Sequence, residues 1–152
     1  MGILSVSLPS LNATEALAKR LAPLLRRGDV VALAGDLGAG KTAFARALLQ
    51  TLGVTGDVPS PTFTLVQTYD TPAFFVSHFD LYRLKDPSEL DELGWDDALA
   101  DGLTLVEWAE RAGTQLPNDC LRLRFSITGD GGRQCIFEMA GAWAERLKDF
   151  QP

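Results

Sequence analysis

The stretch "VVALAGDLGAGKTAFARALLQ", residues 30–50, constrains the fold more than any other part of the chain. Within it, "GDLGAGKT" from Gly35 to Thr42 matches G-x-x-x-x-G-K-[ST] in full. An apolar run that reads as a buried strand precedes the match, and an amphipathic helix pattern follows it and stops near Gly53. Strand, glycine loop and helix in that order make a cradle for phosphate. Glycines let the backbone curl so that several N–H groups point at phosphate oxygens. The helix adds the positive end of its dipole. The residues expected to hold a nucleotide here are Asp36, Gly38, Ala39, Gly40, Lys41, Thr42 and Ala43. Lys41 reaches the β- and γ-phosphates, and the Thr42 hydroxyl ligates Mg²⁺.

The rest of the chain supplies strands and helices around that unit. "ILSVSL" reads as a strand, and "NATEALAKRLAPLL" as a helix opened by Asn12 with Glu15 in a capping-box pattern. Its apolar stripe is Leu17, Leu21, Leu24 and Leu25, and Pro23 is expected to bend or shorten its end. "FTLVQTY" and "AFFVSHFDLYR" predict an antiparallel hairpin. "DPSELDELGWDDALA" predicts an acidic helix with Pro87 in its first turn. "LTLVEWAE" predicts a buried strand, "CLRLRFSITGDGGRQCIFEM" a hairpin turning at "GDGG", and "GAWAERLKDF" a last helix. The fold expected is α/β, a P-loop NTPase-like mixed sheet with a parallel core and antiparallel hairpins, flanked by helices. Residues 1–152 are expected to form one domain.

Charge and composition narrow the function. The net charge of −6 argues against a protein that grips DNA or RNA by itself. No apolar run reaches the roughly 20 residues of a membrane span. The start shows no basic and apolar leader pattern, and Val6 breaks the myristoylation motif. Pairing about "GDGG" sets Cys135 near Ser126 rather than near Cys120, so no disulfide is expected, and a reducing cytoplasm fits.

A phosphate loop needs acidic partners for Mg²⁺ and a group that orients water, commonly at the C-terminal end of a buried strand. Glu107 ends "LTLVE" and Asp80 ends "FFVSHFD". Alternation puts Phe75, Phe79 and Leu81 on one face of that second strand, and Val76, His78, Asp80 and Tyr82 on the other. If both strands end beside the glycine loop, Asp80 and Glu107 converge on the metal. The alternatives are a turn cap for Asp80, a surface ion pair for Glu107, a structural role for His78 and packing for Tyr82 and Trp108. "SPTFT", Ser60 to Thr64, lies where a segment that senses the γ-phosphate is expected.

"GDLGAGKT", "SPTFTLV", "HFDLYR" and "LVEWAE", in this order and spacing, resemble the TsaE (YjeE) family of small bacterial P-loop ATPases. The resemblance implies an ATPase that works with the proteins TsaD and TsaB. Those proteins place a threonylcarbamoyl group on N6 of the adenosine 3′ of the anticodon in tRNAs reading codons that begin with adenine. TsaD carries the transfer, and the ATPase resets or regulates the complex. tRNA is then met only through the partners. The resemblance maps metal ligands onto Thr42 and Glu107 and a further essential acid onto Asp80. It also maps the adenine border onto Pro9–Asn12, with Leu11, and onto Gly132 and Arg133. Catalytic roles fall to Lys41, Asp80 and Glu107.

Three rival readings stand beside it. A GTPase wants an Asn/Thr-Lys-x-Asp run, which is absent. A small-molecule kinase wants an arginine lid, and Arg46 and Arg83 do not form one in sequence. The third rival is a nucleotide-gated binding module with negligible turnover.

Overall fold

The computed structural model describes residues 2–35, 38–56, 58 and 64–152. Its strands are β1 (Gly2–Leu8), β2 (Val30–Gly35), β3 (Val66–Asp70), β4 (Phe75–Asp80), β5 (Gly102–Glu107), β6 (Leu121–Ile127) and β7 (Arg133–Met139). Its α-helices are α1 (Leu11–Leu21), α2 (Lys41–Leu52), α3 (Trp95–Asp101) and the short α4 (Trp143–Arg146). The strands form one sheet in the order β1-β7-β6-β2-β5-β4-β3. Its centre is parallel, with β2 between β6 and β5, and β4 beside β5. Its edges are antiparallel hairpins, β3 with β4 and β6 with β7, and β1 adds antiparallel to β7. This is the mixed sheet expected from the sequence.

The two faces of the sheet carry separate cores. On one, Val31, Leu33, Val76, Leu103 and Leu105 pack with Phe44 and Leu48 of α2 and Leu17 and Leu21 of α1. On the other, Val30, Ala32, Phe79 and Val106 pack with Trp95 and Ala98 of α3 and with Leu81 and Leu90. Phe79 meets Trp95 edge to face with ring centroids 4.9 Å apart. Period-2 alternation sorts each strand between these faces. The odd residues of β2 and β5 and the even residues of β4 point toward α2.

Local chemistry moves several boundaries away from expectation. Helix α1 starts at Leu11, and its cap is Ser10 rather than Asn12: the Ser10 hydroxyl accepts the Ala13 N–H at 3.2 Å. Pro23 shortens its end into a 3-10 turn, Ala22–Leu24, as expected. The acidic helix is two pieces, because Gly94 sits at φ 76 between a 3-10 helix, Pro87–Leu93, and α3. β5 stops at Glu107 because Trp108 turns left-handed (φ 58, ψ 43) and a 3-10 segment, Ala109–Gln115, follows. β4 stops at Asp80, so Tyr82 lies in the turn and is half exposed, and Phe75 is exposed rather than packed. The final helix shrinks to α4. In the last hairpin Cys135 faces Phe125, one residue from the expected Ser126, and both cysteines are buried and free. Burial pushes the Cys135 thiol up to about 12. Among the described residues, no helix is long and apolar enough to cross a membrane.

Candidate phosphate-loop site

β2 delivers the chain to the loop at Gly35. There the backbone passes so close to β6 that a Cβ would collide with the Phe125 carbonyl, and φ is 135. Only glycine fits such an approach. Gly40, at φ 109, then turns the chain into α2, whose first residues are Lys41 and Thr42. Lys41, Gly38, Ala39, Gly40, Thr42 and Ala43 are all placed at this turn; Asp36 lies outside the described residues, as do Ser60, Pro61, Thr62 and Phe63 of the expected sensing segment. The remaining member, Thr64, accepts a hydrogen bond from the Gln67 amide at 3.1 Å.

Parallel register brings the acids to this loop. Glu107 pairs across to Asp80 on β4 and to Leu33 on β2, two residues before Gly35. Neighbouring strands are about 4.8 Å apart, so Asp80 and Glu107 stand side by side on the α2 face. Both are buried, at 6% and 7% exposure. One oxygen of Asp80 accepts the Tyr82 N–H at 3.0 Å, so Asp80 also caps the turn after β4. Glu107 meets His78, with Nε2 to Oε2 at 2.9 Å, and both side chains are buried. Glu107 is therefore no surface ion pair.

Two adjacent buried carboxylates repel each other unless a cation stands near. Carboxylate and hydroxyl oxygens are what Mg²⁺ takes, so Asp80, Glu107 and Thr42 fit that ion. No group of three or more His, Cys, Asp and Glu among the described residues could hold a metal alone.

Lys41 has a partner the sequence did not single out. Its Nζ lies 5.0 Å from the centroid of the Trp108 ring, a cation–π contact. Trp108 in turn packs on Tyr82 at 4.9 Å, and Arg111 lies over Tyr82 at 5.9 Å. The aromatic pair was expected to pack. That it reaches the loop lysine follows from the left-handed turn at Trp108, which no sequence period announces.

The residues expected to border the base lie together. A cavity of about 330 Å³ is lined by Pro9, Leu11, Gly38, Ala43, Gly132 and Arg133, among others. Leu11 is exposed there. Arg133 donates from Nε to the Gly38 carbonyl at 3.1 Å, which ties the β6–β7 turn to the glycine loop. The turn is itself held by Asp130, which accepts the Gly132 N–H at 3.0 Å. The Thr128 hydroxyl and then the Gly132 N–H hold the Asp130 carboxyl below its usual range. A second cavity, about 420 Å³, lies against Lys41, Trp108, Glu110, Arg122 and Arg124.

A mixed sheet whose central strand runs through a glycine loop into a helix, with strand-end acids beside it, defines a phosphate-loop protein of the α/β class. A family model described as "Threonylcarbamoyl adenosine biosynthesis protein TsaE" matches residues 8–135. The chain belongs to the TsaE family. A Rickettsia bellii protein named tRNA threonylcarbamoyladenosine biosynthesis protein TsaE is 43% identical over 129 residues, covering 84% of this chain and 90% of that one. A Bacillus subtilis protein of the same name is 41% identical over 135 residues, covering 88% of this chain and 84% of that one. The crystal structure of Bacillus subtilis YdiB superposes with a TM-score of 0.82 at 31% identity, covering 98% of this chain and 94% of that one.

Proposed function

We propose that this protein binds and hydrolyses Mg·ATP to regulate or reset the complex that forms threonylcarbamoyladenosine in tRNA, with TsaD and TsaB as its partners in the cytoplasm. The observation that carries this reading is the register that sets Asp80 and Glu107 side by side next to a complete phosphate loop. The names of the relatives supply the pathway.

In this mechanism the loop backbone from Asp36 to Ala43 holds the phosphates, and Lys41 leaves the Trp108 ring to meet the β- and γ-phosphates. Thr42 and Glu107 would hold the metal, and Asp80 would bind its water shell or orient the attacking water. When bound, Mg²⁺ neutralises charge on the β- and γ-phosphate oxygens. Leu11 and Arg133 border the base. The net charge of −6 suits a protein that meets tRNA through its partners.

Phosphate release measured for the purified protein, alone and with TsaD–TsaB, tests the proposal. Stimulation by the complex is expected. Turnover indifferent to the complex overturns the partner assignment, and no turnover in either condition leaves a nucleotide-gated module as the better account.

A further inference from the structure

The chain has a single histidine, and it is placed where histidines are expensive. His78 sits in β4 at 3% exposure, on the same face as Asp80, with Val76 before it in the α2-side core. Its Nε2 meets Glu107 Oε2 at 2.9 Å. Its Nδ1 is buried and has no hydrogen-bond partner among the described residues. A ring held only for packing would be cheaper as a leucine or phenylalanine, since a buried polar atom left unpaired costs about 1–3 kcal/mol. Among the described residues, the one polar contact that offsets this cost is made to Glu107.

We infer that His78 is the positioning residue for Glu107: its Nε2–H fixes the carboxylate so that the remaining oxygen faces the metal beside Thr42. The inference rests on the Mg·ATP reading above. A glutamate at a strand end has three side-chain torsions and a repelling neighbour, Asp80, directly across the register. Without a donor it would swing away from Asp80. The His78 bond removes that freedom and holds negative charge on the α2 face, where the loop begins. It also assigns the imidazole hydrogen to Nε2 and leaves Nδ1 as the bare nitrogen, in accord with its missing partner. Groups that orient a ligating side chain in this way commonly change metal affinity by about 10- to 100-fold when removed.

The test uses the full-length protein and a fluorescent, non-hydrolysable ATP analogue, with Mg²⁺ as titrant. In His78→Leu the Mg²⁺ concentration for half-maximal effect is expected to rise about 10-fold or more, while analogue affinity without Mg²⁺ stays within about twofold. His78→Gln, whose amide places a donor near the Nε2 position, is expected to restore most of the Mg²⁺ response. An unchanged Mg²⁺ response in a folded His78→Leu overturns the inference, as does His78→Gln no better than His78→Leu. If the wild type itself shows no Mg²⁺ dependence, the metal site falls and the inference with it.

A second measurement does not depend on the leucine variant folding. With one histidine, ¹⁵N-labelled imidazole gives an unambiguous spectrum. The hydrogen is expected on Nε2, and Glu107→Ala is expected to move that signal. A hydrogen on Nδ1, or a signal indifferent to Glu107→Ala, overturns the inference.

Discussion

In β5 every residue from Gly102 to Glu107 is buried, whereas in β6 burial alternates along Leu121–Ile127. The contrast runs through the whole sheet. The centre is covered on both faces, by α1 and α2 on one and by α3 and the 3-10 segments on the other. The wing of β1, β7 and β6 is covered on one face and leaves Ile3 and Arg124 exposed on the other. A polar side chain on the wing is ordinary, because solvent receives it. In the centre it has nowhere to go except into another polar group or a ligand. That is why the buried His78, Asp80 and Glu107 are the candidates for function, while the Arg124–Glu138 pair, 2.9 Å long and on the open face, contributes little.

The comparison can be broken by substitution. Phe79→Ala, at 0% exposure in the centre, is expected to cost about 3–5 kcal/mol in denaturant unfolding; a cost under about 1 kcal/mol would mean that the second face is not a packed core. Lys41→Ala is expected to lower ATP turnover about 100-fold or more, near 2.7 kcal/mol of barrier, and a variant with undiminished turnover would remove the loop from the mechanism. Asp80→Asn separates the two roles of that residue. Its amide oxygen still accepts the Tyr82 N–H, so stability is expected to hold within about 0.5 kcal/mol, while turnover falls about 100-fold and nucleotide binding survives. Loss of folding instead would assign Asp80 to the turn alone.

Arg133→Ala tests the wing's contribution to the site. It removes the bond to the Gly38 carbonyl and is expected to weaken nucleotide affinity about 5- to 10-fold, roughly 1–1.4 kcal/mol, as read by calorimetry. Unchanged affinity would confine the nucleotide to the centre. Ile3→Ala, at 70% exposure on the wing, should change stability by less than about 0.5 kcal/mol.

The two regions also differed in how legible they were. The glycine loop, the strand-end acids and the mixed sheet could be read because each depends on local residue order. The last hairpin was read within one residue because alternation and "GDGG" fix its course. What escaped was set by backbone turns with positive φ, at Gly94 and at Trp108. Gly94 cut a continuous helical pattern, and Trp108 ended a strand that apolar residues alone would have extended. Burial on both faces also blurred β4. Its alternation placed His78 and Asp80 together, but could not say that a neighbouring strand would hand His78 the carboxylate of Glu107.

On the proposed function, the lysine resting on Trp108 would make nucleotide capture an exchange rather than an addition. A bound phosphate would have to take Lys41 from an indole, a contact worth about 0.5–1 kcal/mol at a partly exposed site. The cost is the same for any anion, so it lowers the affinity of the empty loop without choosing between ligands. Trp95 and Trp143 are buried away from the loop, which leaves Trp108 as the fluorophore beside it. Its emission should therefore act as a built-in gauge of whether the lysine is at rest or in use.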